Sequence, residues 1–188
     1  MEWMIHYLAK NAQNELYTFD ERKQILRYGF KKLLTNLAIL MILFTVSFFM
    51  DTINTMFVII TTFVALRMKF GGWHSESKGV CMIITTIIPI VYIFIIKAYE
   101  IPLVFTAITY IFAYLSAFLK GVVDNPKKEL CADKKLKFKL QGIIILTFIG
   151  AIHLFILNKH LANISEGMTL AIFTVFINLY FSKTKTQC

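Results

Sequence analysis

Charged side chains are scarce in this sequence. Only 16% of the 188 residues are Asp, Glu, Lys or Arg, whereas 57% are hydrophobic and the mean hydropathy is +0.66. A soluble domain carries about 25% charged residues, so this composition excludes the ordinary soluble class and favours membrane insertion. The three cysteines form no CxxC pair, which argues against a disulfide framework and against a zinc cage.

A secretory signal peptide is also missing from the start of the sequence. Residues 1–32 are polar and contain no apolar stretch that ends in a small-residue cleavage site. We therefore expect the first membrane helix to be retained. The aromatic and apolar side chains among the charges of 1–32 indicate an amphipathic, helical region that lies on the membrane surface.

Six apolar segments follow this region, and most approach the roughly 17–25 residues that a helix needs to cross a bilayer. The second is short and could be re-entrant, which leaves open a variant with four full spans and two re-entrant segments. The sequence therefore predicts an all-α, polytopic transmembrane helical bundle of about six segments. We expect them at 33–50, 55–66, 80–96, 102–119, 140–157 and 168–181.

Basic residues are divided unevenly between the connections. If both termini are cytosolic, 18 of the 20 Lys and Arg residues face the cytosol and only Lys97 and Lys159 lie outside, as insertion favours. Orientation alone explains much of this charge, and a surface for an acidic ligand stays open as the alternative. We expect the lipid bilayer rather than a nucleic acid as the partner. The predicted regions are 1–32 at the membrane surface, a membrane domain at 33–181 with a basic cytosolic loop at 120–139, and a cytosolic tail at 182–188.

The connection between the second and third segments differs from the others in composition. Residues 67–81 read Arg-Met-Lys-Phe-Gly-Gly-Trp-His-Ser-Glu-Ser-Lys-Gly-Val-Cys, with three glycines within nine residues. Glycines permit tight turns and the close approach of a ligand to the backbone. The same connection contains His74 and Cys81, the pair of residues that could carry covalent chemistry.

Cys81 is predicted to lie on the first turns of the third segment. A helix amino terminus and a neighbouring imidazole both favour the thiolate, so Cys81 could be a nucleophile with His74 as its general base and acid. On one continuous helix the two residues would be about 10 Å apart, so the glycine-rich part has to fold back. Arg67 and Lys78 would add positive charge. The alternatives are a buried cysteine without function and, less favoured because other ligands are missing, a metal site.

The pattern Arg-x-x-x-Gly-Gly-x-His at 67–74, followed by Cys81 at the start of an apolar span, resembles the signature of the accessory gene regulator B (AgrB) family. Arg67, Gly71 and Gly72 occupy the glycine motif of that signature. The chain length, the basic amino-terminal segment and the number of spans are similar as well. Lys127 and Lys128 lie in a stretch that resembles the family's proline- and lysine-containing loop.

The resemblance implies a membrane cysteine endopeptidase of Gram-positive bacteria that processes a quorum-sensing pro-peptide. Cys81 would cleave off the acidic tail and hold the signal peptide as a thioester, from which a Cys or Ser of the peptide forms a thiolactone or lactone. The implied partner is an amphipathic pro-peptide whose acidic tail could contact Lys78, Lys127 and Lys128. No cofactor or metal is expected, the active site would be cytosolic, and a homodimer is possible.

Two other functions remain compatible with the sequence. A small permease or peptide-export component would keep the topology and leave Cys81 without a role, and a structural subunit would fit everything except the glycine-rich connection. His153 lies inside the fifth segment, where ionisable groups are often functional. Its alternative is a neutral imidazole that is hydrogen-bonded to a neighbouring helix.

Overall fold

The protein is almost entirely helical in a computed structural model that describes residues 5, 7, 18–71, 78–123, 132–158 and 161–182. Six long helices follow one another through these residues, and none of these residues is in a β-strand. The predicted all-α fold is therefore confirmed. The helices are α1 (Phe19–Phe49), α2 (Ile53–Phe70), α3 (Lys78–Ala98), α4 (Leu103–Leu119), α5 (Ala132–Asn158) and α6 (Ala162–Phe181).

Each predicted segment corresponds to one helix, but five of the helices are longer than their segments. α1 begins at Phe19 rather than at residue 33, α5 at Ala132 rather than 140, and α6 at Ala162 rather than 168. A run of apolar residues marks only the part of a helix that suits the hydrocarbon core, whereas backbone hydrogen bonding continues into polar sequence. As a result, residues 132–139 of the predicted basic loop are helical.

The second segment was predicted too short. α2 has 18 residues and extends to Phe70, so its length suits a complete crossing. α1, α2, α5 and α6 are long and apolar enough to span a membrane, while α3 and α4 contribute the shorter apolar stretches Met82–Ala98 and Leu103–Leu119. The chain is thus a multi-pass membrane protein.

Contacts divide the chain into two compact units, Met1–Ile42 and Leu43–Cys188, with the boundary inside α1. In the first unit, a capping box begins α1. The backbone N–H of Thr18 donates to Oε2 of Glu21 at 2.9 Å, and the N–H of Glu21 donates to Oγ1 of Thr18 at 3.4 Å. These bonds satisfy two donors that a helix start otherwise leaves open.

α6 is the central helix of the second unit and packs against α2, α3, α4 and α5. Its closest approach is to α2, where a Cβ atom on Gly167 would lie 3.0 Å from both Thr55 and Ile59. Small residues permit such approaches in membrane bundles. The apolar core around α6 consists of Leu66, Phe70, Ala113, Ala117, Leu146, Ile149, Met168, Ile172, Val175, Phe176 and Leu179.

Large apolar side chains cover the outer faces of α4 and α5. Phe118 is 59% exposed, Phe148 is 66% exposed and Ile144 is 67% exposed. In water such a surface would promote aggregation, whereas in a bilayer it contacts lipid tails. The exposed faces therefore agree with the assignment of a membrane protein.

We expect Gly167→Leu to lower the free energy of unfolding by about 1–3 kcal/mol, because overpacking the contact with α2 forces the two helices apart. Gly29→Leu is the matched control, since no atom lies within 4 Å of a Cβ on Gly29. Thermal unfolding of the purified variants in detergent measures the difference. Equal melting temperatures for the two variants would contradict the packing described for Gly167.

Candidate active site

The described residues of the predicted catalytic segment lie at the end of α2 and the start of α3. Cys81 is the fourth residue of α3, so its backbone is in the first turn of that helix, where the sequence predicted it. His74 and Gly72 precede α3 and lie outside the described residues, as do the side chains of Cys81 and Lys78. Lys127 and Lys128 lie outside them too. The distance between His74 and Cys81 therefore stays a prediction.

Gly71 ends α2 in a conformation that requires glycine. Its φ is +74° and its ψ is −139°, in a region that is essentially confined to glycine. Its N–H donates to the carbonyl of Arg67 at 2.9 Å. A Cβ atom on Gly71 would lie 2.6 Å from the backbone carbonyl oxygen of Val123. Both the backbone angle and the neighbouring chain therefore exclude a side chain here.

The close neighbour of Gly71 belongs to the connection between α4 and α5. The N–H of Val123 donates to the carbonyl of Phe70 at 3.0 Å, which ties that connection to the end of α2. Residues 72–77 begin one residue after Gly71, and residues 124–131 begin directly after Val123. Gly71 and Val123, the residues that precede these two stretches, are therefore neighbours.

Four basic residues lie on the helix ends near Gly71 and Val123. We call the region that they define the basic end: Arg67, Lys69, Lys120 and Lys139. Arg67 lies over the ring of Phe63, with its Cζ 5.3 Å from the ring centroid. The other three donate to oxygen atoms of neighbouring helices. Lys69 donates to Oε1 of Gln141 at 3.0 Å, Lys120 to the carbonyl of Tyr180, and Lys139 to the carbonyl of Phe118 at 2.8 Å.

Two of these lysines complete helix ends. The last carbonyls of a helix lack partners within the helix, and a lysine that binds them also interacts favourably with the helix dipole. Lys120 does this for α6 and Lys139 does it for α4. Part of the positive charge of the predicted loop 120–139 thus has a structural role.

A second group of titratable residues lies within the bundle, away from the basic end. Nδ1 of His153 is 3.0 Å from the hydroxyl of Tyr110 on α4, and Nε2 is 2.6 Å from Oγ of Ser165 on α6. His153 is 1% exposed and Ser165 is 4% exposed, so no substrate can reach the pair. The bonds link three helices, and the interpretation of His153 as a histidine bonded to neighbouring helices is confirmed.

Glu166 is buried beside this group. Its Oε1 accepts the N–H of Ile101 at 3.1 Å, and its Oε2 has no hydrogen-bond partner among the described residues. The last apolar segment was predicted to begin at residue 168, which would leave Glu166 in the preceding connection, whereas α6 begins at Ala162. A polar residue directly before an apolar run can belong to the same helix, and only tertiary packing decides this.

An open groove of about 670 Å³ lies between the α1–α2 turn and the start of α6. Asp51 is the titratable residue in its lining, which includes no His or Cys. Within the described ranges, no group of three potential metal ligands occurs. The groove therefore offers no catalytic pair, and the end of α2 with the start of α3 remains the candidate site.

Comparison with known proteins identifies the family of this chain. The protein-family model described as Accessory gene regulator B matches residues 1–180. The chain belongs to the AgrB family. A protein of Clostridium perfringens (strain SM101 / Type A) that is named AgrB-like is 29% identical over 157 residues, which cover 79% of this chain and 72% of the relative.

A second relative, from Clostridium perfringens (strain 13 / Type A), is named AgrB-like protein 2 and is 31% identical over 158 residues. These cover 79% of this chain and 72% of the relative. No solved structure matches the chain significantly. Family membership supports a role in the accessory gene regulator system.

Gly71→Ala is expected to loosen the connection between α4 and α5, because a side chain there costs roughly 1–3 kcal/mol in backbone strain and meets the Val123 carbonyl. Limited trypsin digestion of membranes should then cleave faster after Lys127 and Lys128 than in the unmodified protein. Gly29→Ala serves as the control, since its Cβ meets no atom within 4 Å. Identical digestion rates for both variants would show that Gly71 does not hold the connection.

Proposed function

We propose that this AgrB family member is a membrane-embedded cysteine endopeptidase that removes the carboxyl-terminal tail of an autoinducer pro-peptide and promotes its cyclisation. One observation carries the proposal: Cys81 lies in the first turn of α3, seven residues after the histidine of the Arg-x-x-x-Gly-Gly-x-His motif. A thiol in the first helical turn is closest to the positive end of the helix dipole, which favours the thiolate.

The proposed reaction has two acyl-transfer steps. His74 takes the thiol proton, the sulfur of Cys81 attacks the scissile carbonyl, and the C–N bond breaks as His74 returns the proton to the leaving amine. The released fragment is the tail, and the signal peptide remains as a thioester. A thiol or hydroxyl of that peptide then attacks the thioester, loses its proton to His74 and displaces the Cys81 thiolate, which gives a thiolactone or lactone.

Water competes with the second step, because hydrolysis of the thioester would give a linear product. A site at the membrane surface limits the access of water and holds an amphipathic peptide close to the enzyme. The partner that suits this site is a pro-peptide with an amphipathic helix and an acidic tail. Cyclisation would then be favoured by proximity rather than by an additional catalytic group.

The bond between Val123 and Phe70 supports a role for the basic connection in substrate capture. It holds Val123, four residues before Lys127, against Phe70, four residues before His74. An acidic tail bound by these lysines and by Lys78 would place the scissile bond near Cys81, and such charge complementarity mainly assists capture. A homodimer remains a prediction on which the described contacts do not bear.

Cys81→Ala and His74→Ala are expected to abolish tail removal, because one lacks the nucleophile and the other lacks the base. The test co-expresses each variant with a pro-peptide that has an amphipathic helix, an internal Cys or Ser and an acidic tail, and follows the mass of the peptide. Cys131→Ser and Cys188→Ser are matched controls, since each removes a cysteine that has no proposed role. Cleavage that persists in Cys81→Ala would contradict the mechanism and favour a non-enzymatic permease or export component.

The proposed orientation places both termini and the catalytic segment in the cytosol. Single-cysteine variants that retain only Cys131 or only Cys188 should resist a membrane-impermeant thiol reagent in intact cells and react after permeabilisation. Asn54→Cys, at the exposed start of α2, should react without permeabilisation in a variant whose native cysteines are replaced. Labelling of Cys131 or Cys188 in intact cells would reverse the assignment of sides.

A further inference from the structure

Phe70, the last residue of α2, is completely buried between two other helices. Its ring centroid lies 5.1 Å from that of Phe176 on α6, and the planes of the two rings are inclined by 60°. On its other side lies Gly142 of α5. A Cβ atom built on Gly142 would come within 2.6 Å, 2.9 Å and 3.0 Å of the Cζ, Cε2 and Cε1 atoms of the Phe70 ring. The ring thus fills the space that any side chain at residue 142 would need.

This contact is the tightest among the described glycines that lie within helices. The corresponding distance is 3.0 Å for Gly167 and 3.4 Å for Gly150, and Gly29 has no neighbour within 4 Å. Gly150 belongs to the same helix as Gly142, so helix propensity does not explain the difference between them. What distinguishes Gly142 is the aromatic ring of Phe70.

Consecutive residues at this end of α2 are each held by a different part of the second unit. Lys69 donates to Gln141 of α5, the Phe70 ring packs between Gly142 and Phe176, and the Phe70 carbonyl accepts the N–H of Val123. The next residue, Gly71, turns the chain with its positive φ. The contacts of Phe70 therefore hold the last residue of α2 in place, directly before the turn at Gly71.

We propose that Phe70 and Gly142 are positioning residues for the catalytic segment, because the seating of the Phe70 ring against Gly142 sets the point from which the chain runs to His74. The inference rests on the proposed endopeptidase function. His74 lies four residues after Phe70, whereas Cys81 is carried separately by α3. A shift of Phe70 thus moves the general base relative to the nucleophile, and a displacement of about 1 Å can lower a rate a hundredfold.

The test is Gly142→Ala, which adds one methyl group beneath the Phe70 ring. We expect the rate constant for tail release to fall by about a hundredfold, while KM for the pro-peptide stays near the wild-type value because Lys127 and Lys128 are unchanged. The rate at which a small alkylating reagent modifies Cys81, measured with Cys131 and Cys188 replaced by Ser, should also fall. Gly150→Ala, the control in the same helix, should keep both rates.

A second variant separates positioning from a general loss of folding. Leucine lacks the Cε1, Cε2 and Cζ atoms that the new methyl group would meet, so adding Phe70→Leu to Gly142→Ala should restore most of the lost rate. If Gly142→Ala does not accumulate in the membrane, Phe70→Leu alone is measured, and we expect a lower rate constant with a retained KM. A restored rate in the double variant, or a lower rate constant with a retained KM in Phe70→Leu alone, would support a positioning role for the contact between Phe70 and Gly142.

The outcomes distinguish this inference from the proposed function. If the wild-type protein cleaves the pro-peptide and Gly142→Ala keeps the wild-type rates of cleavage and alkylation, the positioning role is overturned. The proposed endopeptidase function is then unaffected. The same holds if the Phe70→Leu exchange fails to restore the rate in a well-folded double variant. A wild-type protein that does not cleave the pro-peptide would overturn the proposed function, and the positioning role with it.

Discussion

The packing of α6 among α2, α3, α4 and α5 is the interaction on which the second unit depends. In a bilayer, apolar burial gives little drive for helices to associate, so close packing and polar bonds between helices have to supply it. α6 provides both. Gly167 permits the approach of α2, Ser165 accepts or donates a bond with His153, and Thr169 bonds with Thr106 at 3.2 Å.

The candidate site is a consequence of this packing. Phe176 of α6 lies against Phe70 of α2, which connects the central helix to the residue from which the catalytic segment departs. The bond from Val123 to Phe70 then brings in the connection between α4 and α5. The fold therefore gathers at one end of the bundle residues that are about fifty positions apart in the sequence, without requiring any of them to be catalytic.

Apolar runs and a short motif were enough to predict the six helices and the position of Cys81 near the start of α3, because bilayer thickness imposes a length that a sequence displays directly. The helix starts at Phe19, Ala132 and Ala162 could not be predicted in this way, since polar residues continue a helix outside the apolar run. The burial of Glu166 and the contact between Phe70 and Gly142 depend on partners that are distant in the sequence. The sequence pattern marked Gly71 as part of a motif. The structure shows why this position needs glycine: its φ is positive, and a side chain would meet Val123.

Glu166 has a consequence for the way in which the chain assembles. A carboxyl group within a membrane helix makes insertion of that helix by itself unfavourable, and the apolar window of α6 has a mean hydropathy of 1.5, against 2.3 for α5. The partners of α6, among them Ile101, Thr106 and His153, all precede it in the chain and are synthesised first. α6, which carries this buried carboxyl group, thus follows the helices whose hydrogen-bonding groups it needs.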